Sequence, residues 1–153
     1  MDFPGAHRGA PCTGPIHAHV VYACDFDPRK GTLSHRRVLA RFVPRDMAQG
    51  SPHYGGRPDG AAVDAEGCYW VVMFEGGCLQ RFTHQRELLQ MLPLSVRCPT
   101  MLCFGGPDPR TLFITPSREN RPAPELADRP LPSRVLQLRV DVPGLATNFM
   151  NSP

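Results

Sequence analysis

Apolar residues along this chain gather in short runs separated by turn formers, and nowhere do they recur at the 3.6-residue spacing of an amphipathic helix. The run VVYACDF over 20–26 reads as a strand, Asp27-Pro28-Arg29-Lys30-Gly31 as a turn, and Leu33 to Val43 as a returning strand with charged positions on one face. From residue 60 the pattern sharpens. Strands are expected at Gly60 to Val63, Tyr69 to Phe74, Leu79 to Phe82 and Leu88 to Leu94, with tight turns between them. Four consecutive strands so connected make a meander, and the expected class is all-β.

The pattern then begins again. RPDGAAVDAEGCYWVV is echoed by RCPTMLCFGGPDPRTLFIT as an apolar strand, a Gly/Asp turn and a second strand, with Pro58 and Pro99 in equivalent places, 99 − 58 = 41 residues apart. A four-stranded unit repeating near 40 residues is the sign of a propeller blade. The copies are weak enough that the repeat alone leaves a β-sandwich open beside the propeller. Residues 117–133 carry too many prolines for a central strand and read as a loop with one helical turn at Pro124 to Asp128; Val135 to Val140 resumes strand character. Residues 1–16 and 146–153 show no pattern and are expected to be mobile ends around a unit spanning 17–145.

Composition narrows the function more by exclusion than by indication. The chain has 153 residues, 41% of them apolar, which is the size of one domain with a core. The net charge is +3, with arginines and acids interspersed, so no block marks a nucleic-acid or membrane surface. No apolar run approaches the roughly 18 residues of a membrane helix. The start MDFPGAHRGAPCTGP lacks the basic and apolar regions of a secretory leader. Six cysteines stand without a CxxC pair, four of them inside apolar runs. The expectation is a cytoplasmic protein whose cysteines are reduced and structural.

Candidate chemistry centres on two aspartates in turns, Asp59 of Pro58-Asp59-Gly60 and Asp64 of Asp64-Ala65-Glu66-Gly67. Asp64 reads as a turn former that hydrogen-bonds its own backbone. His17-Ala18-His19 offers two metal ligands with no third nearby. His53 lies in the loop leading to Asp59 and is a candidate neighbour of the site, the plainer reading being an exposed loop histidine. Trp70 and Phe74 are expected to fill the space between sheets. Cys98 and Cys103 lie along one strand, where a bond is geometrically unfavourable. No GxSxG elbow is present, which disfavours a serine hydrolase. Arg118 and Glu119 follow a strand end, with a loop ion pair as the simplest reading.

The motifs PDG-x-x-x-D-x-x-G-x-x-W and FGG-x-D-x-x-T-L, in that order, together with VLQLRVDVPGL, resemble the C-terminal half of the SMP-30/gluconolactonase/LRE-like family, from about Val20 to about Leu145. The resemblance implies a six-bladed β-propeller of which this chain would hold about three blades' worth. It implies a sugar-lactone hydrolase that uses a divalent metal ion (calcium, zinc, magnesium or manganese). It also places Asp59 as a metal ligand and general base, with His53 close by. The metal would polarise the lactone carbonyl and the carboxylate would direct water at it.

This sequence departs from the family where the remaining ligands belong. A Glu, an Asn and the sugar-holding Arg and Asn come from blades that precede the matching region. One carboxylate does not make a site for a hard cation. The expectation is therefore an apparently truncated lactonase, or else a non-catalytic propeller remnant acting as a calcium-binding or protein-interaction module. Blade faces left bare would favour self-association.

Overall fold

The computed structural model describes residues 8–13, 19–27, 29–46, 53–119, 121–128 and 134–145, with the backbone alone for 8–13. Among them are ten strands and one short helix, in three antiparallel sheets. The first sheet holds β1 (Arg8–Thr13), β2 (Val20–Asp27) and β3 (Thr32–Arg41) in chain order. The second is the expected meander of β4 (Arg57–Val63), β5 (Tyr69–Phe74), β6 (Cys78–Phe82) and β7 (Leu88–Pro93). The third is β8 (Pro99–Gly105), β9 (Thr111–Pro116) and β10 (Leu136–Arg139), with helix α1 (Ala123–Asp128) between the last two strands. β1 falls in the stretch that showed no sequence pattern, because RGAPCT has no apolar alternation for a reader to find. His17 and residues 146–153 lie outside the described residues.

The middle sheet is buried on both faces, which explains why YWVVMF is a continuous apolar run rather than an alternating one. Successive side chains of a strand point to opposite faces. Tyr69, Val71 and Met73 pack with Cys78 and Phe82 against Val21, Ala23 and Leu39 of the first sheet. Trp70, Val72 and Leu79 pack against Leu102, Leu112 and Ile114 of the third. Each such side chain, fully withdrawn from water, contributes about 1.5–3 kcal/mol. β7 is an edge strand, and its Leu88, Leu89 and Met91 are exposed despite their apolar character.

The repeat read between Pro58 and Pro99 has a structural counterpart. β4 and β8 each open with their proline region, and the pairing of each shifts register just after it, between Pro58 and Ala61 and between Pro99 and Met101. The two strands approach closely at Gly60. A Cβ placed there would lie 2.5 Å from Met101 Cα and from the Thr100 carbonyl oxygen. Glycine is thus required by the neighbouring backbone.

The β4–β5 turn is fastened to the far end of the chain. Ala65 N–H donates to the Pro143 carbonyl at 2.8 Å, and Asp64 and Gly144 form an isolated antiparallel bridge. Cys68, Cys78, Cys98 and Cys103 form no disulfide, as expected. Cys24 is disulfide-bonded, which corrects the expectation of reduced cysteines throughout.

Candidate functional site

The two aspartates that the sequence offers as candidates occupy different worlds. Asp64 is 0% exposed and its carboxylate is saturated. Oδ1 accepts from the backbone N–H of Glu66 at 3.0 Å and of Cys68 at 2.9 Å, as a turn aspartate should. Oδ2 accepts from Trp70 Nε1 at 2.8 Å and Arg81 Nε at 2.8 Å, and Arg81 also reaches Glu66 at 2.7 Å. Burial of Arg81 opposes its charge, but the hydrogen bonds that it donates to Glu66 and Asp64 outweigh that and raise its pKa. A carboxylate with all its lone pairs engaged holds the sheet together and has none left for a substrate.

Asp59 lies in the register irregularity of β4, where neither it nor Gly60 has a partner across the strand. Bulges of this kind re-aim a side chain and recur beside active sites. The carboxylate is half-buried and accepts no hydrogen bond from any described residue. Burial pushes its pKa above the usual aspartate range, and the Arg57 guanidinium pulls the other way. Among the described residues no three His, Cys, Asp or Glu side chains converge to hold an ion. A hard cation takes six to eight oxygens, so the described residues alone do not make a metal centre around Asp59.

A cavity of about 570 Å³ opens at the end of the sheets where β4 and β8 begin and β5 and β9 finish. Small-molecule sites typically measure roughly 300–1,000 Å³. Its floor is built around Glu75, whose side chain is only 5% exposed. Glu75 accepts from Arg45 at 3.0 Å and Tyr54 Oη at 3.1 Å, and pairs with Arg121 at 3.5 Å. It holds φ at +64°, a left-handed conformation normally left to glycine or asparagine. Its three partners sustain that strain. Burial, and then the hydrogen bond to Glu75, raise the Tyr54 pKa. Arg57 and Arg121 both lie against the Phe74 ring, at 4.1 and 5.9 Å from its centroid.

The residues singled out in the sequence are spread around this cavity and the sheets beside it. Asp59 is not part of the cavity lining, although Arg57, two residues before it, is. His53 is exposed, and its neighbour Tyr54 is the loop residue that lines the cavity. Trp70 fills the space between sheets, edge-on to Phe104 at 6.4 Å, whereas Phe74 is half-buried in the cavity wall. Glu119 lines the cavity, and its backbone N–H bonds Ser117 Oγ at 3.2 Å. Arg57, Glu75 and Arg121 escaped notice in the sequence. A glutamate at a turn position suited to glycine was the one local signal of Glu75.

Comparison with known proteins agrees with the motifs. Residues 16–118, more than half of the chain, match the SMP-30/Gluconolactonase/LRE-like region, and the chain belongs to that family. It is 48% identical over 132 residues to the 6-deoxy-6-sulfogluconolactonase of Pseudomonas putida, covering 86% of this chain and 42% of that protein. It is 35% identical to regucalcin of Danio rerio, covering 74% of this chain and 36% of the relative. The solved structure of a calcium-binding protein, regucalcin, from Agrobacterium tumefaciens superposes with a TM-score of 0.69 at 22% identity. That structure covers 84% of this chain with 41% of its own, and the likeness is one of fold. The chain thus spans about two fifths of the length of the relatives it matches.

Proposed function

We propose that the polypeptide carrying this chain hydrolyses sugar lactones, with Asp59 as the carboxylate that activates water. The observation that carries the reading is the state of Asp59: half-buried, raised in pKa, aimed by a strand irregularity and free of any hydrogen bond to described residues. Such a carboxylate is a stronger base than a solvated one and has lone pairs to spare. It would take a proton from water as the water oxygen bonds to the lactone carbonyl carbon. Cleavage of the ring C–O bond then releases the sugar acid, its former ring oxygen reprotonated.

Membership of the family and the names of the relatives support a lactone as substrate. The name of the 48%-identical relative supports a sulfonated one in particular. In this reading the three stacked sheets are successive blades of a six-bladed propeller, with β4 and β8 as inner strands. Asp59 would contribute one ligand to a divalent cation, calcium, zinc, magnesium or manganese, whose other ligands lie beyond the residues described. The test is hydrolysis of a sugar lactone by the wild-type polypeptide and by Asp59→Asn, with and without added divalent cation. A rate that depends on Asp59 supports the enzyme; its absence favours a non-catalytic binding module.

A further inference from the structure

The geometry points to Arg57 and Arg121, grouped about Phe74 in the cavity beside Asp59, as a subsite for a tetrahedral oxyanion, a sulfonate or phosphoryl group carried by the substrate. The lining itself carries three arginines, Arg45, Arg57 and Arg121, against two glutamates, Glu75 and Glu119. Arg45 and Arg121 share the buried carboxylate of Glu75. Arg57 pairs with no carboxylate among the described residues, and its Nε atom is buried without an acceptor. Glu119, the other acid of the lining, is exposed at the rim.

A buried guanidinium nitrogen left without an acceptor is costly. Stacking on Phe74 offsets only about 0.5–2 kcal/mol of that cost. An oxyanion completes the hydrogen bonding and the charge together, since guanidinium forks match the oxygens of such groups. Ser117 brings a hydroxyl to the same wall, while that of Thr100 donates to the Thr115 carbonyl oxygen at 2.9 Å. Arg57 is also the cation whose field bears on Asp59, so an anion held there stands next to the carboxylate proposed to activate water. The identity of the molecule bearing the anion rests on the lactonase reading, while the subsite itself does not.

The test titrates the 153-residue chain with methanesulfonate, inorganic phosphate and acetate at low salt, and with dimethyl sulfone as the neutral control, by calorimetry and amide chemical shifts. Methanesulfonate or phosphate should bind in the millimolar range and shift the amides of Phe74, Thr100 and Ser117. Arg57→Gln should weaken binding about tenfold, and Arg57→Lys less, because a point charge replaces a fork. Tighter methanesulfonate assigns the subsite to a sulfonate, tighter phosphate to a phosphoryl group. Absence of binding up to about 50 mM, at the weak end of the affinity scale, overturns the proposal. So do acetate binding as tight as both, shifts confined to other residues, or unchanged affinity in folded Arg57→Gln. Anion binding without lactone hydrolysis keeps the subsite and removes the lactonase; hydrolysis without anion binding does the reverse.

Discussion

The Trp70 indole donates to Asp64 Oδ2 at 2.8 Å, and both residues are out of contact with solvent, at 2% and 0% exposure. The same oxygen holds Arg81, so one carboxylate joins the β4–β5 turn, the second strand and the third strand of the middle sheet. Removing one partner of a buried pair leaves the other charge uncompensated, which costs about 3–5 kcal/mol. Asp64→Ala should therefore lose most of the stability of the fold in urea unfolding. A loss below about 1 kcal/mol, the level of an exposed pair, would show that the network is dispensable.

At Gly60, β4 and β8 lie close together. Two of the three nearest atoms that a methyl group would meet belong to the backbone of Thr100 and Met101, so Gly60→Ala must push the two strands apart, at about 1–3 kcal/mol. The displacement falls on the residue next to Asp59. Any lactone hydrolysis should fall with it, while Gly67→Ala, whose Cβ meets nothing within 4 Å but whose φ is +75°, should cost stability without that loss of activity. Equal activity losses in the two variants, compared at a temperature where both are folded, would argue against a special role for the β4–β8 contact.

Asp108 and Arg139 form a bidentate ion pair that ties β10 to the β8–β9 turn. Its hydrogen bonds from Arg139 hold the Asp108 carboxyl below the usual aspartate range. A folded-state pKa lower than the unfolded one stabilises above the unfolded value, near 3.9. That contribution is lost as pH falls through the folded value. The stability gap between wild type and Asp108→Asn should therefore be open at pH 6 and close at acid pH. Both residues are at the surface, so salt should narrow it as well. A gap constant from about pH 6 to pH 2, across the whole aspartate range, would show that the pair carries no pH-dependent stability.

The strands were legible because they are local: apolar runs bounded by Gly, Pro and Asp make β2 to β10 readable within a few residues of their limits. Asp64 could be recognised as a turn former from its own neighbours, but not its pairing with Arg81, 17 residues on in an adjacent strand. The cavity was invisible for the same reason. Arg57, Glu75 and Arg121 come from three separate segments, and nothing in the sequence near any of them names the others. Asp59 was found through a motif rather than through physics. Only the structure shows that its carboxylate is half-buried, off the regular ladder and without a hydrogen-bond partner among the described residues.

Activation of water by Asp59 for lactone opening is read most directly as acid release in a pH-stat assay. The polypeptide carrying this chain would be given glucono-δ-lactone and its 6-sulfonated counterpart, with manganese, calcium or zinc added, beside Asp59→Asn as the matched variant. Loss of a general base typically costs about 10²–10⁴-fold in rate. Asp59→Asn should show a fall of that size while remaining as stable as wild type. Equal rates in the two proteins, or none above the spontaneous reaction in either, would contradict this role of Asp59.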